Sequence, residues 1–267
     1  AVAGISNPAA SGTMNPNEVL INTSTAPVIV TYVYTLSTAG CTNPTAYNVV
    51  VVVNPIPTLS SSLTPPGICS NTIFSYLPAS GTAGTTFNWS RAAVAGISNP
   101  AASGSGNPNE ALINTTTAPI SVTYIYSLSA NGCINATIYN VVVVVNPIPT
   151  FTSSLTPPSI CSNTVFSYTP TSGTAGATFS WSRAVVAGIS NPAASGTGNP
   201  NEILLNTTVS PVSVTYIYTV SANGCTNPAS YSVVVIVNPR PSITSTQVPP
   251  PICSNTAFIY VPTSGTT

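Results

Sequence analysis

The same text recurs along this chain at a fixed interval. AVAGISNPAASG begins at Ala1, returns at Ala93, and reappears with one change as VVAGISNPAASG from Val185. The cysteines keep the same step, in one series at Cys41, Cys133 and Cys225 and in another at Cys69, Cys161 and Cys253, so the period is 133 − 41 = 92 residues. A period of domain size with no insertion in any copy means one folding unit used in series. Arrays of this kind supply length, spacing and multivalency rather than a single reaction centre.

The best linker text is Asn54-Pro55-Ile56-Pro57, which recurs as Asn146-Pro147-Ile148-Pro149 and Asn238-Pro239-Arg240-Pro241. Alternating prolines favour an extended, semi-rigid joint. Cutting there predicts two complete domains, 55–146 and 147–238. They are flanked by the back part of a repeat at 1–54 and the front part of another at 239–267. The simplest expectation is an excerpt of a longer array. The rival is a fibre subunit whose incomplete sheet is filled by a strand from an identical chain.

Inside a unit the periodicity is that of strands. Ile120, Val122, Tyr124, Tyr126 and Leu128 alternate with Ser121, Thr123, Ile125, Ser127 and Ser129, which predicts one apolar and one mostly polar face. Asn131-Gly132 then reads as a hairpin turn leading to the valines at 141–145. Phe74 with Tyr76, and Phe87 with Trp89, mark two further strands, and no segment sustains helical spacing. About seven short strands in some 90 residues predict an all-β fold of tandem immunoglobulin-like sandwiches in a linear array.

Composition excludes several functions. The chain has 3 basic and 3 acidic residues, no His and a net charge of zero. The three arginines cannot neutralise a nucleic-acid backbone, so no nucleic-acid partner is expected. The longest plain apolar run is the five valines, far short of the roughly 18 residues a spanning helix needs, so no membrane insertion is expected. Each repeat has one Glu and no His, which leaves a catalytic carboxylate without a partner acid, base or metal. No enzyme activity, cofactor or metal site is expected.

Three sets of side chains remain. Arg91 and Glu110, and Arg183 and Glu202, stand 19 residues apart in both complete copies, which predicts an ion pair tying a strand end to the loop containing NPNE. Trp89 and Trp181 share a strand face with Phe87 and Phe179 and are expected in the core, an exposed sugar-stacking platform being the alternative. Two cysteines per repeat without His or a CxxC pair favour disulfides over a metal, and hence an oxidising, extracytoplasmic setting. Connectivity stays open. Cys69 with Cys133 and Cys161 with Cys225 is the default within repeats, leaving Cys41 and Cys253 over. Cys69 and Cys133 would, however, lie at opposite ends of a sandwich in an immunoglobulin-like order, so Cys69 with Cys225 across the linker is the alternative. The Asn-x-Ser/Thr sites at Asn22, Asn88, Asn114, Asn135 and Asn206 are expected by chance in so Ser/Thr/Asn-rich a chain.

Four segments together carry a resemblance: ICSNT at 68–72, FNWSR at 87–91, YIYSLSANGC ending at Cys133 and VVVVVNP ending at Pro147. The repeat is similar over its whole length to the PKD-like and immunoglobulin-like repeats of very large secreted surface proteins of Bacteroidota-type bacteria. The resemblance implies a structural segment of a surface filament or adhesin stalk, often exported by the type IX route. Its partners would be neighbouring repeats or identical chains. The runner-up is a carbohydrate-binding module array with a surface polysaccharide as partner. The WDFGDG segment of PKD domains proper is represented only by Trp89-Ser90-Arg91, and with no Asp in the chain no acidic calcium site is carried over.

Overall fold

The computed structural model describes residues 1–266, and these contain strands, turns and no helix. The chain divides into two compact units. One comprises Ala1–Thr115 with Pro119–Val145, and the other Thr116–Ala118 with the chain from Asn146 onward. The fold is all-β, with one sandwich plan repeated along the chain.

In the first unit the long strand Ile120–Ala130 is the spine. It pairs antiparallel with Tyr139–Asn146 on one edge, from Ile120 opposite Val145 to Tyr126 opposite Tyr139. On the other edge it pairs with Thr86–Arg91, placing Tyr126 opposite Trp89. Ala102–Ser105 extends the sheet beyond Thr86–Arg91, and Ile68–Cys69 closes its far edge beside Tyr139–Asn146. The facing layer is the short ladder Thr72–Phe74 with Glu110–Leu112. Glu110, read from sequence as part of the loop containing NPNE, instead opens a strand, with Glu110 opposite Phe74 and Ala111 opposite Ile73.

The alternation decides which face is buried. Val122, Tyr124, Tyr126, Val141, Val143, Val145 and Leu112 are wholly buried, and Phe74 and Trp89 nearly so. Ile125 and Val144, one step out of phase, face solvent. A one-residue slip would invert both sets, so the pattern pins the register. At the hairpin, Asn131 and Gly132 take φ of 49° and 79°. Two positive φ values in succession make the type I′ geometry that suits a twisted two-stranded ladder. Ala39-Gly40 adopts the same geometry, with φ 47° and 81°, so the ladder dictates the turn even where Asn is replaced. The Val28–Tyr34 and Tyr47–Val53 strands of this unit pair in the same register as their later copies.

The second unit repeats the plan. Val212–Ala222 is flanked by Tyr231–Asn238 and Thr178–Arg183, with Ala194–Thr197 outside the latter. Thr164–Phe166 with Glu202–Leu204 forms the facing layer. The edge strand Ile160–Cys161 runs parallel to the last strand, setting Ile160 against Val237 and Cys161 against Asn238.

Candidate functional site

With no catalytic cluster indicated by sequence, the regions of interest are the joint between repeats and the side chains that brace each repeat. The joint at residues 54–57 lies within the first unit. Pro55 and Pro57 are buried, whereas Ile56 between them is 59% exposed. The Asn54 amide donates to the Asn131 carbonyl at 3.0 Å, tying the start of the proline linker to the hairpin turn at Asn131-Gly132. Asn135 donates to the Pro57 carbonyl at 2.8 Å and to the Tyr139 hydroxyl at 3.0 Å. Each proline removes a donor and fixes φ, and these Asn amides supply donors to the nearby carbonyls. In the second unit Asn146 donates to Asn223 and Asn227 to Pro149 in the same way. At the third linker Arg240 is exposed at the place of Ile56, which shows why that position accepts a charge.

Behind the joint, Asn114 is buried and its amide donates to the Val145 carbonyl at 2.8 Å, while its backbone N–H donates to the Ser70 hydroxyl. Asn206 does the same with Val237 and Ser162, and Asn22 donates to Val53. These residues, read from sequence as chance glycosylation sites, are main-chain latches. Their recurrence at the 92-residue period was the available signal. Asn88 is exposed.

Arg91 is 1% exposed and forms a two-pronged pair with Glu110, Nε to Oε2 at 3.0 Å and Nη2 to Oε1 at 2.9 Å. It also donates to the carbonyls of Pro100 and Ala92, and its guanidinium lies 5.9 Å from the Tyr124 ring centre. Burial pushes the Glu110 carboxyl up, but hydrogen bonds from Arg91 and Tyr124 and the Arg91 charge outweigh it and hold the group below the usual carboxylate value. Burial first, then the Glu110 hydrogen bond, drives the Tyr124 phenol far above its ordinary value. Arg183, Glu202 and Tyr216 repeat the arrangement. In the 1–54 segment, Tyr32 donates to Glu18 at 2.6 Å, and that bond, ahead of burial and the Glu18 charge, pushes its phenol up to about 12.

Trp89 and Trp181 are 8% and 7% exposed and lie edge-on to Tyr124 and Tyr216. Each packs on a cross-strand glycine, and a Cβ on Gly104 or Gly196 would stand 2.9 Å from the indole. The rings fill the core and present no face to a sugar. Sequence did not single out the glycines, because nothing in a strand pattern marks the residue opposite a buried indole.

Cys69 and Cys225 are disulfide-bonded, whereas Cys41, Cys133, Cys161 and Cys253 carry free thiols. The default pairing of Cys69 with Cys133 and Cys161 with Cys225 is thereby overturned. The reason is distance. In the second unit Cys161 lies at the Val212 end of the spine strand and Cys225 opposite Ala222. Ten strand steps span about 33 Å, whereas a disulfide needs Cα atoms within about 4.4–6.8 Å. Among the described residues no three His, Cys, Asp or Glu come together.

Repeated sandwiches, each with its own core and ion pair and joined by latched prolines, define a tandem array of modular β domains. A PKD-like domain model matches residues 66–149 and again 158–241, and the chain belongs to the PKD-like domain family. No curated protein matches it. Among solved structures, an endo-fucoidan hydrolase of glycoside hydrolase family 107 is similar at 12% identity and a TM-score of 0.24, over 89% of this chain and 39% of that one. PKD-like domains and a disulfide are typical of extracellular proteins.

Proposed function

We propose that this chain is a non-catalytic, load-bearing segment of an extracellular filament or adhesin stalk, which sets distance between an anchor and a tip. The observation that carries the reading is the joint. Pro55 and Pro57 are buried and the Asn amides beside them tie the end of one repeat to the turn of the next, which is what a spacer that must hold its direction requires. Domains joined only by flexible linker would need no such bonds. The domain limits of this reading are 55–146 and 147–238, with 1–54 and 239–267 belonging to neighbouring repeats, and the partners are those repeats. Burial of Trp89 and Trp181 counts against the polysaccharide-binding alternative.

The test is immuno-electron microscopy of the producing cells with antibody raised against this chain. Gold spaced along extracellular filaments is the expected result. Label confined to the cytoplasm would overturn the reading. Saturable quenching of tryptophan fluorescence by oligosaccharides would move it to the carbohydrate-binding alternative.

A further inference from the structure

We propose that the outward face of the main sheet in each sandwich is a docking surface for a second copy of this chain, sheet face against sheet face, through a weak and uncharged contact.

In the first unit Ile125 and Val144 are 40% and 38% exposed on the solvent side of the sheet, and Val142 is partly exposed on the same side. Register sets Val142 opposite Thr123, diagonal to Ile125, and Val144 opposite Ser121. Diagonal neighbours on one face stand about 7–8 Å apart, within reach of one another, so the three side chains form one β-branched patch. Ser90 and Asn140 flank Ile125 in its own row, and Asn88 and Ser127 make up the next. The second unit has Ile217, Val234 and Ile236 at the same register positions, with Ile217 and Ile236 38% and 44% exposed. The Val28–Tyr34 and Tyr47–Val53 pair carries Val33, Val50 and Val52 there, all exposed. Across the three copies of the patch the only exchange is Ile for Val.

The faces hold no charge. Arg91, Arg183, Glu110 and Glu202 are engaged in the clasps, and Glu18 and Arg240 lie outside these strands. Soluble proteins ordinarily keep sheets apart with charged side chains, and depletion of charge marks the centre of protein interfaces. An uncharged face offers nothing to an acidic or basic partner and nothing that repels its own twin. Sheets stack face to face when their twists match, and an identical copy brings the same twist.

Strand addition is hindered at the sheet edges. The Asn99 amide donates to the Ala111 carbonyl at 2.9 Å and its oxygen accepts from the Ile113 N–H at 2.9 Å, occupying the place of a neighbouring strand on the facing layer. Asn191 does the same with Ile203 and Leu205. On the main sheet the Val142 N–H donates to the Leu63 carbonyl and the Val234 N–H to the Leu155 carbonyl, so a loop covers that edge. The opposite edge, Ala102–Ser105, is only 4 residues long, and short edges pair poorly.

Four strands about 4.8 Å apart, each with some seven residues of about 3.4 Å, present roughly 450 Å². That is about half of the roughly 800 Å² per partner in a standard interface, so one face makes a weak contact. Two faces give each chain two such contacts, and repetition converts weak contacts into avidity. In a stalk this means lateral bundling, a role that rests on the stalk reading, whereas the contact does not.

Sedimentation equilibrium of the whole chain, with its free thiols blocked by iodoacetamide, tests the surface at about 0.01–1 mM. Reversible self-association is expected, with a Kd constant within about threefold between about 0.01 and 1 M salt. Ile125→Lys with Ile217→Lys should raise the Kd at least about tenfold through like-charge repulsion. Ile73→Lys with Val165→Lys adds the same charge at exposed positions of the facing layer and should leave the Kd unchanged. Mixing the first variant with Ile125→Glu with Ile217→Glu should restore association, because opposite charges then meet. Unchanged thermal midpoints of the variants separate lost binding from lost folding. A parent monomeric throughout, equal loss in both Lys variants, no restoration on mixing, or a Kd that follows salt overturns the proposal. A monomeric parent that co-sediments with cellulose, and ceases to on Ile125→Lys with Ile217→Lys, also overturns it and gives the face to a neutral glycan. Immunogold labelling judges the stalk reading separately, so either can fail alone.

Discussion

Tyr124 donates its hydroxyl hydrogen to Oε2 of Glu110 at 2.6 Å, the oxygen that Arg91 also holds through Nε. The spine strand, the neighbouring strand and the facing layer of one sandwich thus meet on a single carboxylate. Glu110→Gln keeps the shape but removes the charge opposite a buried guanidinium. Breaking one partner of such a pair costs about 3 kcal/mol. The expected result is a lower denaturant midpoint with an unchanged m-value, and Glu110→Gln combined with Arg91→Met should recover part of the loss. Equal midpoints for the single variant and the parent would show that the pair is idle.

Stability should be level with pH over an unusually broad range. Glu110 and Glu202 have lowered pKa values, so their contribution is present above the unfolded carboxylate value of about 4.3 and fades as pH falls through the folded one. Tyr124 and Tyr216 are raised, so theirs is present below the unfolded phenol value of about 10 and is lost as pH rises beyond it. With no His in the chain, thermal midpoints should be flat from about pH 5 to 9.5 and fall on both sides. A step near pH 6.5 would contradict this account.

Gly104→Ala should destabilise the sandwich built on the Ile120–Ala130 strand by about 1–3 kcal/mol, the usual penalty for overpacking. The added methyl meets the Trp89 ring, which is confined by Tyr124 on another side. Tryptophan emission reads the effect directly, through a red shift as the indole is displaced. Gly132→Ala is a poor control, since its φ of 79° carries backbone strain of its own.

Asn114 and Asn206 should remain unmodified when the chain passes through a host that glycosylates Asn-x-Ser/Thr sites, because their amides are buried and already donate to Val145 and Val237. Asn88 should be available. Asn114→Ala leaves the Val145 carbonyl without that donor, and a loss of about 1–3 kcal/mol is expected. Intact mass and glycopeptide analysis check the first claim, and denaturant melts the second.

Much of this was legible in the primary structure because strand faces alternate strictly. The set from Ile120 to Leu128 marked the buried side, and the shared face of Phe87 and Trp89 put the indole inside. The constant spacing of Arg91 and Glu110 marked two residues worth pairing, although Glu110 proved to open a strand that Gly and Pro neighbours had disguised as loop. Side chains that serve the main chain were hidden. Asn114 looks like any other Asn in a chain rich in them, and its meaning comes from a carbonyl 31 residues away. Cysteine pairing could not follow from sequence spacing alone, since the two cysteines of one repeat, Cys161 and Cys225, stand at opposite ends of the spine strand.

Because each of the two PKD-like domains carries its own core, its own Arg–Glu–Tyr clasp and its own Asn latch, inserting or deleting a whole 92-residue unit leaves each remaining interior untouched. Reach can then be inherited as a count of units, free to drift or be selected by unequal crossing-over between near-identical stretches of DNA, without any compensating change in what makes one unit fold.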